Sequence, residues 1–90
     1  MIVPVVGIKY YNFNPPVIGE VYKLIKEKDN LYDPMAIAVY NNAEQVVGYI
    51  GARSQYNLKI YKRILQDSVN GIVWCICKNQ ILVEVDLPRF

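Results

Sequence analysis

Apolar and polar positions alternate in short bursts separated by polar breaks, the pattern of a small β-protein with one change of period. Residues 2–11, Ile2-Val3-Pro4-Val5-Val6-Gly7-Ile8-Lys9-Tyr10-Tyr11, are rich in β-branched and aromatic side chains and predict a first strand. Pro4 confines that strand to a start or an edge, and Gly7 points to a bulge or a close backbone approach. Asn12-Phe13-Asn14-Pro15-Pro16 breaks it. A second strand is predicted over residues 17–26, with Val21, Lys23 and Ile25 on one face and Glu20, Tyr22, Leu24 and Lys26 on the other. After the charged residues 26–30, the apolar runs 36–40 and 45–50 flank a polar tetrad at 41–44, which predicts a β-hairpin. From residue 52 to 67 the period lengthens: Tyr56, Ile60, Tyr61, Ile64 and Leu65 form a stripe at helical spacing and predict one helix near 53–66. Residues 71–77 and 81–87, joined by Lys78-Asn79-Gln80, predict a closing hairpin.

Six short strands and a helix within 90 residues predict a single domain, 1–90, that is mainly β: a small OB-like, partly open six-stranded barrel. Closure, even partial, hides the unpaired edges that a flat sheet of this size would expose. A hydrophobic share of 53% against 20% charged removes the chain from the disordered class. Ten Lys and Arg against eight Asp and Glu leave +2, too little for a protein that holds nucleic acid by bulk charge, so any such contact is local. The absence of histidine excludes a His general base, a His-ligated metal and a Ser-His-Asp triad.

Cys75 and Cys77 lie two apart in a predicted strand and lean from the same face, where a mutual disulfide would be strained. They are expected to be free thiols buried as small core side chains, a redox pair at C-x-C spacing being the alternative. No apolar run approaches eighteen residues and no signal-peptide pattern opens the chain, so a cytoplasmic protein without membrane contact is expected. On the predicted helix Arg53, Lys59, Lys62 and Arg63 meet no acid before Asp67, which suits either a solvated face or one that tracks phosphates.

Two constellations could carry chemistry. In Lys9-Tyr10-Tyr11, at the end of the first predicted strand, neighbours point to opposite faces, so one Tyr can enter the core while Lys9 and the other meet solvent. An exposed Tyr can stack on a base while its hydroxyl reaches water or phosphate, although strand tyrosines serve packing equally well. Asp29-Asn30-Leu31-Tyr32-Asp33-Pro34 is a polar loop with one aromatic between two carboxylates. Asp and Asn favour such turns by bonding their own backbone. Two carboxylates and an amide are few ligands for calcium, and the loop has no glycine, so no metal is expected. The carboxylate pair also lacks a nucleophile and a phosphate cradle, which points away from an enzyme and from any cofactor.

The succession Val6-Gly7-Ile8-Lys9-Tyr10-Tyr11, then Leu24-Ile25-Lys26-Glu27-Lys28-Asp29-Asn30-Leu31-Tyr32-Asp33-Pro34-Met35-Ala36-Ile37-Ala38-Val39, then Val46-Val47-Gly48-Tyr49-Ile50, resembles a HIRAN domain over almost the whole chain. The family occurs at the N-terminus of eukaryotic helicase-like remodelling factors and as a free-standing or fused domain in bacteria and phages; this sequence resembles the free-standing type. The resemblance implies an OB-like barrel and, from the eukaryotic members, capture of a single-stranded DNA 3′ end with a free hydroxyl.

Carried over by position, the family's Arg-Tyr-Tyr run falls on Lys9, Tyr10 and Tyr11, implying a phosphate contact from Lys9 and base or sugar contacts from the tyrosines. Its Asn-Asn-x-Tyr-Asp loop falls on Asp29, Asn30, Tyr32 and Asp33, which implies that Tyr32 stacks the terminal nucleotide and Asp33 accepts from its 3′-hydroxyl. Lys9 in place of Arg lacks the bidentate fork, and Asp29 in place of Asn adds a negative charge. Leu31 stands for the usual Pro, and Pro34-Met35 for a Lys-Asn pair. The function expected is a non-catalytic module for single-stranded DNA ends, alone or beside a DNA-processing enzyme. The alternative is a protein-interaction or self-assembly domain without direct DNA binding, which uses the helix face and an exposed apolar edge to reach a partner or a second copy.

Overall fold

In the computed structural model, which describes residues 1–51, 60–62, 64 and 68–85, alternating side chains build six strands. They are β1 Ile2–Val6, β2 Val21–Glu27, β3 Ala36–Tyr40, β4 Val46–Ile50, β5 Ser68–Ile76 and β6 Ile81–Val85. Every pairing is antiparallel, in the order β1-β4-β3-β2-β5-β6 with β6 returning to β1. The barrel is therefore closed and not partly open. Val5 stands opposite Ile50 of β4 on one side and Ile81 of β6 on the other.

Alternation sends Val3 and Val5, Tyr22 and Leu24, Ile37 and Val39, and Ile81, Val83 and Val85 inward, where all are buried. Tyr22, the largest buried side chain among the described residues, has Gly71 as its cross-strand partner. A Cβ at Gly71 would strike Val83 Cγ1 and lie 3.2 Å from Val85 Cγ2. Ile60 and Ile64, one helical turn apart and joined by the Ile64 N–H to the Ile60 carbonyl at 3.0 Å, enter the same core. Residues 60–62 are helical, as the spacing predicts, and Lys62 is exposed; apart from Ile64, the rest of the predicted helix, with Arg53, Lys59 and Arg63, lies outside the described residues.

The β3–β4 hairpin forms at its predicted place. The buried Asn41 side chain holds its turn by accepting from Ala43 N–H at 3.0 Å and Gln45 N–H at 2.9 Å. Gln45 Oε1 in turn accepts from Asn41 Nδ2 and from the Asn14 N–H, which anchors the crossover from β1 to β2.

Three further expectations are corrected. The first strand ends at Val6 and not at residue 11, because Gly7 takes φ 74°, ψ 13° and turns the chain into a 3-10 turn over Ile8–Tyr10. The second begins at Val21, since Val17 to Glu20 fold into a turn closed by the Glu20 N–H to the Val17 carbonyl at 3.0 Å. Cys75 and Cys77 are free, but half-buried instead of in the core. The register of β5 on β6 shifts between Val73 and Cys75, which breaks the inward alternation that buries Gly71 and Val73. Their sulfurs lie 4.0 Å apart.

Candidate nucleic-acid interface

Gly7 is required by conformation and not by space. A Cβ there would meet only Tyr10 Cδ2 at 3.8 Å, but φ 74° is the left-handed region that L side chains avoid. The reversal is held by the Tyr10 N–H to the Gly7 carbonyl at 3.1 Å and the Tyr11 N–H to the Ile8 carbonyl at 3.3 Å. Ile8 packs against the core and keeps the turn on the barrel wall. Neither tyrosine of this turn enters the core: Tyr10 is 75% exposed, and Tyr11 lies at the surface with its ring 6.2 Å from that of Tyr49. Lys9 Nζ sits 5.2 Å over the Tyr10 ring, a cation–π contact.

The loop between β2 and β3 is wound around two side chains. Asn30 Oδ1 accepts from the N–H groups of Tyr32 and Asp33, both at 2.9 Å, while Asn30 Nδ2 donates to Glu27 Oε1 at 3.1 Å. Asp33 Oδ1 accepts from the Met35 N–H at 3.0 Å, and the Asp33 carbonyl from the Ala36 N–H at 3.0 Å. These local bonds are what Asn and Asp supply in turns. Their effect is to project Leu31 and Tyr32 outward, and Tyr32 is fully exposed.

Turn and loop converge. An open groove of about 390 Å³ is lined by Gly7, Tyr10 and Tyr11 from the first segment, Asn30, Tyr32 and Asp33 from the second, and Tyr49 and Gly51 from the end of β4. Five of the seven sequence-predicted residues thus share one surface although some twenty residues of chain separate the two segments. The other two stand beside it. Lys9 lines a neighbouring depression with Gly7, Ile8, Tyr10 and Asn79, so Tyr10 is the wall between the two. Asp29 lines a third, with Lys26, Glu27 and Lys28.

Comparison with known proteins matches residues 1–85 to the HIRAN domain. The chain belongs to the HIRAN family. HIRAN domains are known as DNA-binding modules. The crystal structure of the HIRAN domain of human HLTF shares the fold with a TM-score of 0.76 at 21% identity, over 97% of this chain and 73% of that one. The crystal structure of a protein from Lactobacillus plantarum gives 0.72 at 25% identity, over 93% and 87%. No curated protein matches the sequence.

Within this HIRAN domain, two groove-side residues escape sequence reasoning. Tyr49 forms part of the groove wall, and its hydroxyl donates to Glu27 Oε1 at 2.9 Å. Burial first, and then this bond to Glu27, hold the Tyr49 phenol well above its ordinary range, so it remains a donor at any physiological pH. Glu27 thereby serves Tyr49 and Asn30 together. The available signal was the Val47-Gly48-Tyr49 step, where Gly48 lets β4 approach β1: a Cβ there would strike the Val6 carbonyl oxygen. Among the described residues, no group of three or more His, Cys, Asp or Glu could hold a metal ion, and no helix is long and apolar enough to cross a membrane.

Proposed function

We propose that this HIRAN domain is a non-catalytic module that binds single-stranded DNA at its 3′-hydroxyl end, in the groove between the 3-10 turn and the β2–β3 loop. The observation that carries the reading is the convergence of Tyr10, Tyr11, Asn30, Tyr32 and Asp33 on one open surface. Tyr32, wholly exposed and on a loop whose backbone is already ordered, stacks the terminal base at little further entropic cost. Tyr10 and Tyr11 contact the adjoining base or sugar. Lys9, across the Tyr10 wall, meets a backbone phosphate as a point charge. Asp33 accepts from the terminal 3′-hydroxyl; its carboxylate is oriented by the Met35 N–H.

A charge-assisted hydrogen bond to Asp33 contributes about 1.5–3 kcal/mol, and a 3′-phosphate would replace it with repulsion. An oligonucleotide with a free 3′-hydroxyl therefore binds at least about tenfold more tightly than its 3′-phosphorylated twin. Asp33→Asn narrows the gap, since the amide carbonyl still accepts but no longer repels. Fluorescence anisotropy with both ligands, on wild type and Asp33→Asn at one ionic strength, tests this. Equal affinity for the two ends in wild type, or binding to neither, overturns the reading.

A further inference from the structure

The outer face of β5 carries Ile72 and Trp74, exposed at 51% and 54%. Val21 of β2 lies directly across from Ile72 and is itself half exposed. The turn before β2 brings two more apolar side chains to this face. The Gly19 N–H donates to the Val73 carbonyl at 2.8 Å and the Val73 N–H to the Glu20 carbonyl at 2.9 Å, so Val17 and Ile18, at 63% and 59% exposure, are strapped alongside β5. Exposed apolar side chains from three neighbouring segments thus gather along β5. β5 is diametrically opposite β4 in the ring of strands, so this surface faces away from the groove.

These five side chains leave about 500 Å² open, in the upper part of the range for the largest apolar patch of a typical monomer. Covered on two copies at once, that is about 1,000 Å², the threshold of a specific interface. The charges at its margins are arranged for such a pairing. Exposed Lys23 lies on β2, to one side of β5, and exposed Glu84 lies on β6, to the other, opposite Ile72. A two-fold axis running along β5 sets β2 of each copy over β6 of the other, and so turns each Lys23 toward the opposite Glu84.

We propose that this face is the contact between two copies of the chain, packed β5 against β5 about that axis. The contact is independent of DNA binding and leaves both grooves open on the outside of the dimer. Trp74, the sole tryptophan, is its built-in reporter.

The test is sedimentation velocity with Trp74 emission, from about 1 to 200 µM, a range that spans the micromolar affinities expected of a small interface. Wild type shifts toward twice the 10.4 kDa monomer mass as concentration rises, and Trp74 emission moves to the blue in step. Ile72→Glu raises the dissociation constant by more than about 30-fold. Lys23→Glu and Glu84→Lys each weaken association, and the two together restore it. These charge variants sit on exposed positions and keep the test intact should Ile72→Glu fail to fold. A monomer throughout the range, which would leave the face to a different protein, overturns the proposal. So does a dimer whose Trp74 emission is constant or which the charge variants leave unchanged.

Discussion

The Tyr49 hydroxyl and Glu27 Oε1 meet at 2.9 Å across the intervening strand β3. Tyr49 pairs with Ala38, and Glu27 with Ala36, and both of these small side chains are buried. Because the same Oε1 also accepts from Asn30 Nδ2, this bridge joins the groove wall to the loop that presents Tyr32 and Asp33.

Glu27→Ala is therefore expected to weaken single-stranded DNA binding by about tenfold without removing a groove-lining side chain, through loss of a shared charged acceptor. Tyrosine absorbance titration provides a second readout. Glu27→Gln brings the Tyr49 phenol down toward its ordinary range, because the carboxylate is one of the groups that hold it up. An unchanged affinity together with an unchanged titration would show that the bridge does not order the loop.

The two charges that flank the groove are expected to act differently. Lys9→Ala weakens all single-stranded sequences alike and lowers the slope of log K on log salt by about 0.7, the contribution of one phosphate on a single strand. Asp29→Asn changes affinity less than about threefold and leaves the preference for a 3′-hydroxyl intact, because Asp29 opens on a depression shared with Lys26 and Lys28 and not on the groove. Anisotropy titrations at three salt concentrations measure both. A loss of end preference in Asp29→Asn would place that carboxylate at the nucleotide after all.

At Gly48 the barrel wall packs directly against the end of β1 and the 3-10 turn. A Cβ at this position would strike the Val6 carbonyl and lie 3.1 Å from Val5 Cγ1 and 3.4 Å from Ile8 Cγ2, so β1 and its 3-10 turn would have to move outward. Gly48→Ala is expected to cost about 1–3 kcal/mol of stability, measured by urea denaturation, and to weaken DNA binding through the displaced Tyr10 and Tyr11. Full stability in this variant would mean that the turn is free to shift.

Where side-chain pattern and backbone agree, the fold was legible. The run 36–40, the polar tetrad and the run 45–50 predict the hairpin that forms at Ala36–Tyr40 and Val46–Ile50, because its turn is fixed by a local residue, Asn41. Ile8-Lys9-Tyr10-Tyr11 misleads for the opposite reason. Its composition suits a strand, but one positive φ at Gly7 substitutes bonds to the third residue back for a ladder. Closure of the barrel depends on β1 reaching β6, which is encoded in no local stretch. The site divides in the same way: Tyr32 and Asp33 are visible as a loop motif, while Glu27 and Tyr49 acquire their partnership only from strand order.

The core contains one conflict that the chain does not need for folding. The Tyr22 hydroxyl is buried with no hydrogen-bond partner among the described residues, at a cost of about 1–3 kcal/mol for an unsatisfied hydroxyl. Burial, and secondarily the charge of Glu20, push its pKa from the ordinary 10 to about 12. In the unfolded chain the phenol ionises near 10, whereas the folded protein keeps the proton until about 12, so stability is complete below pH 10 and falls as pH rises through that window. Tyr22→Phe keeps the ring opposite Gly71 and removes both the orphan hydroxyl and its share of the alkaline loss. Tyr49, also raised, contributes a slope of the same sign in both proteins, so the informative quantity is the difference between them. Urea denaturation at pH 7, 9 and 11 should show Tyr22→Phe more stable by about 1–2 kcal/mol at pH 7, with a margin that widens at pH 11. A variant less stable than wild type at pH 7 would mean that the hydroxyl has a partner in solution and that the polar group belongs to the core.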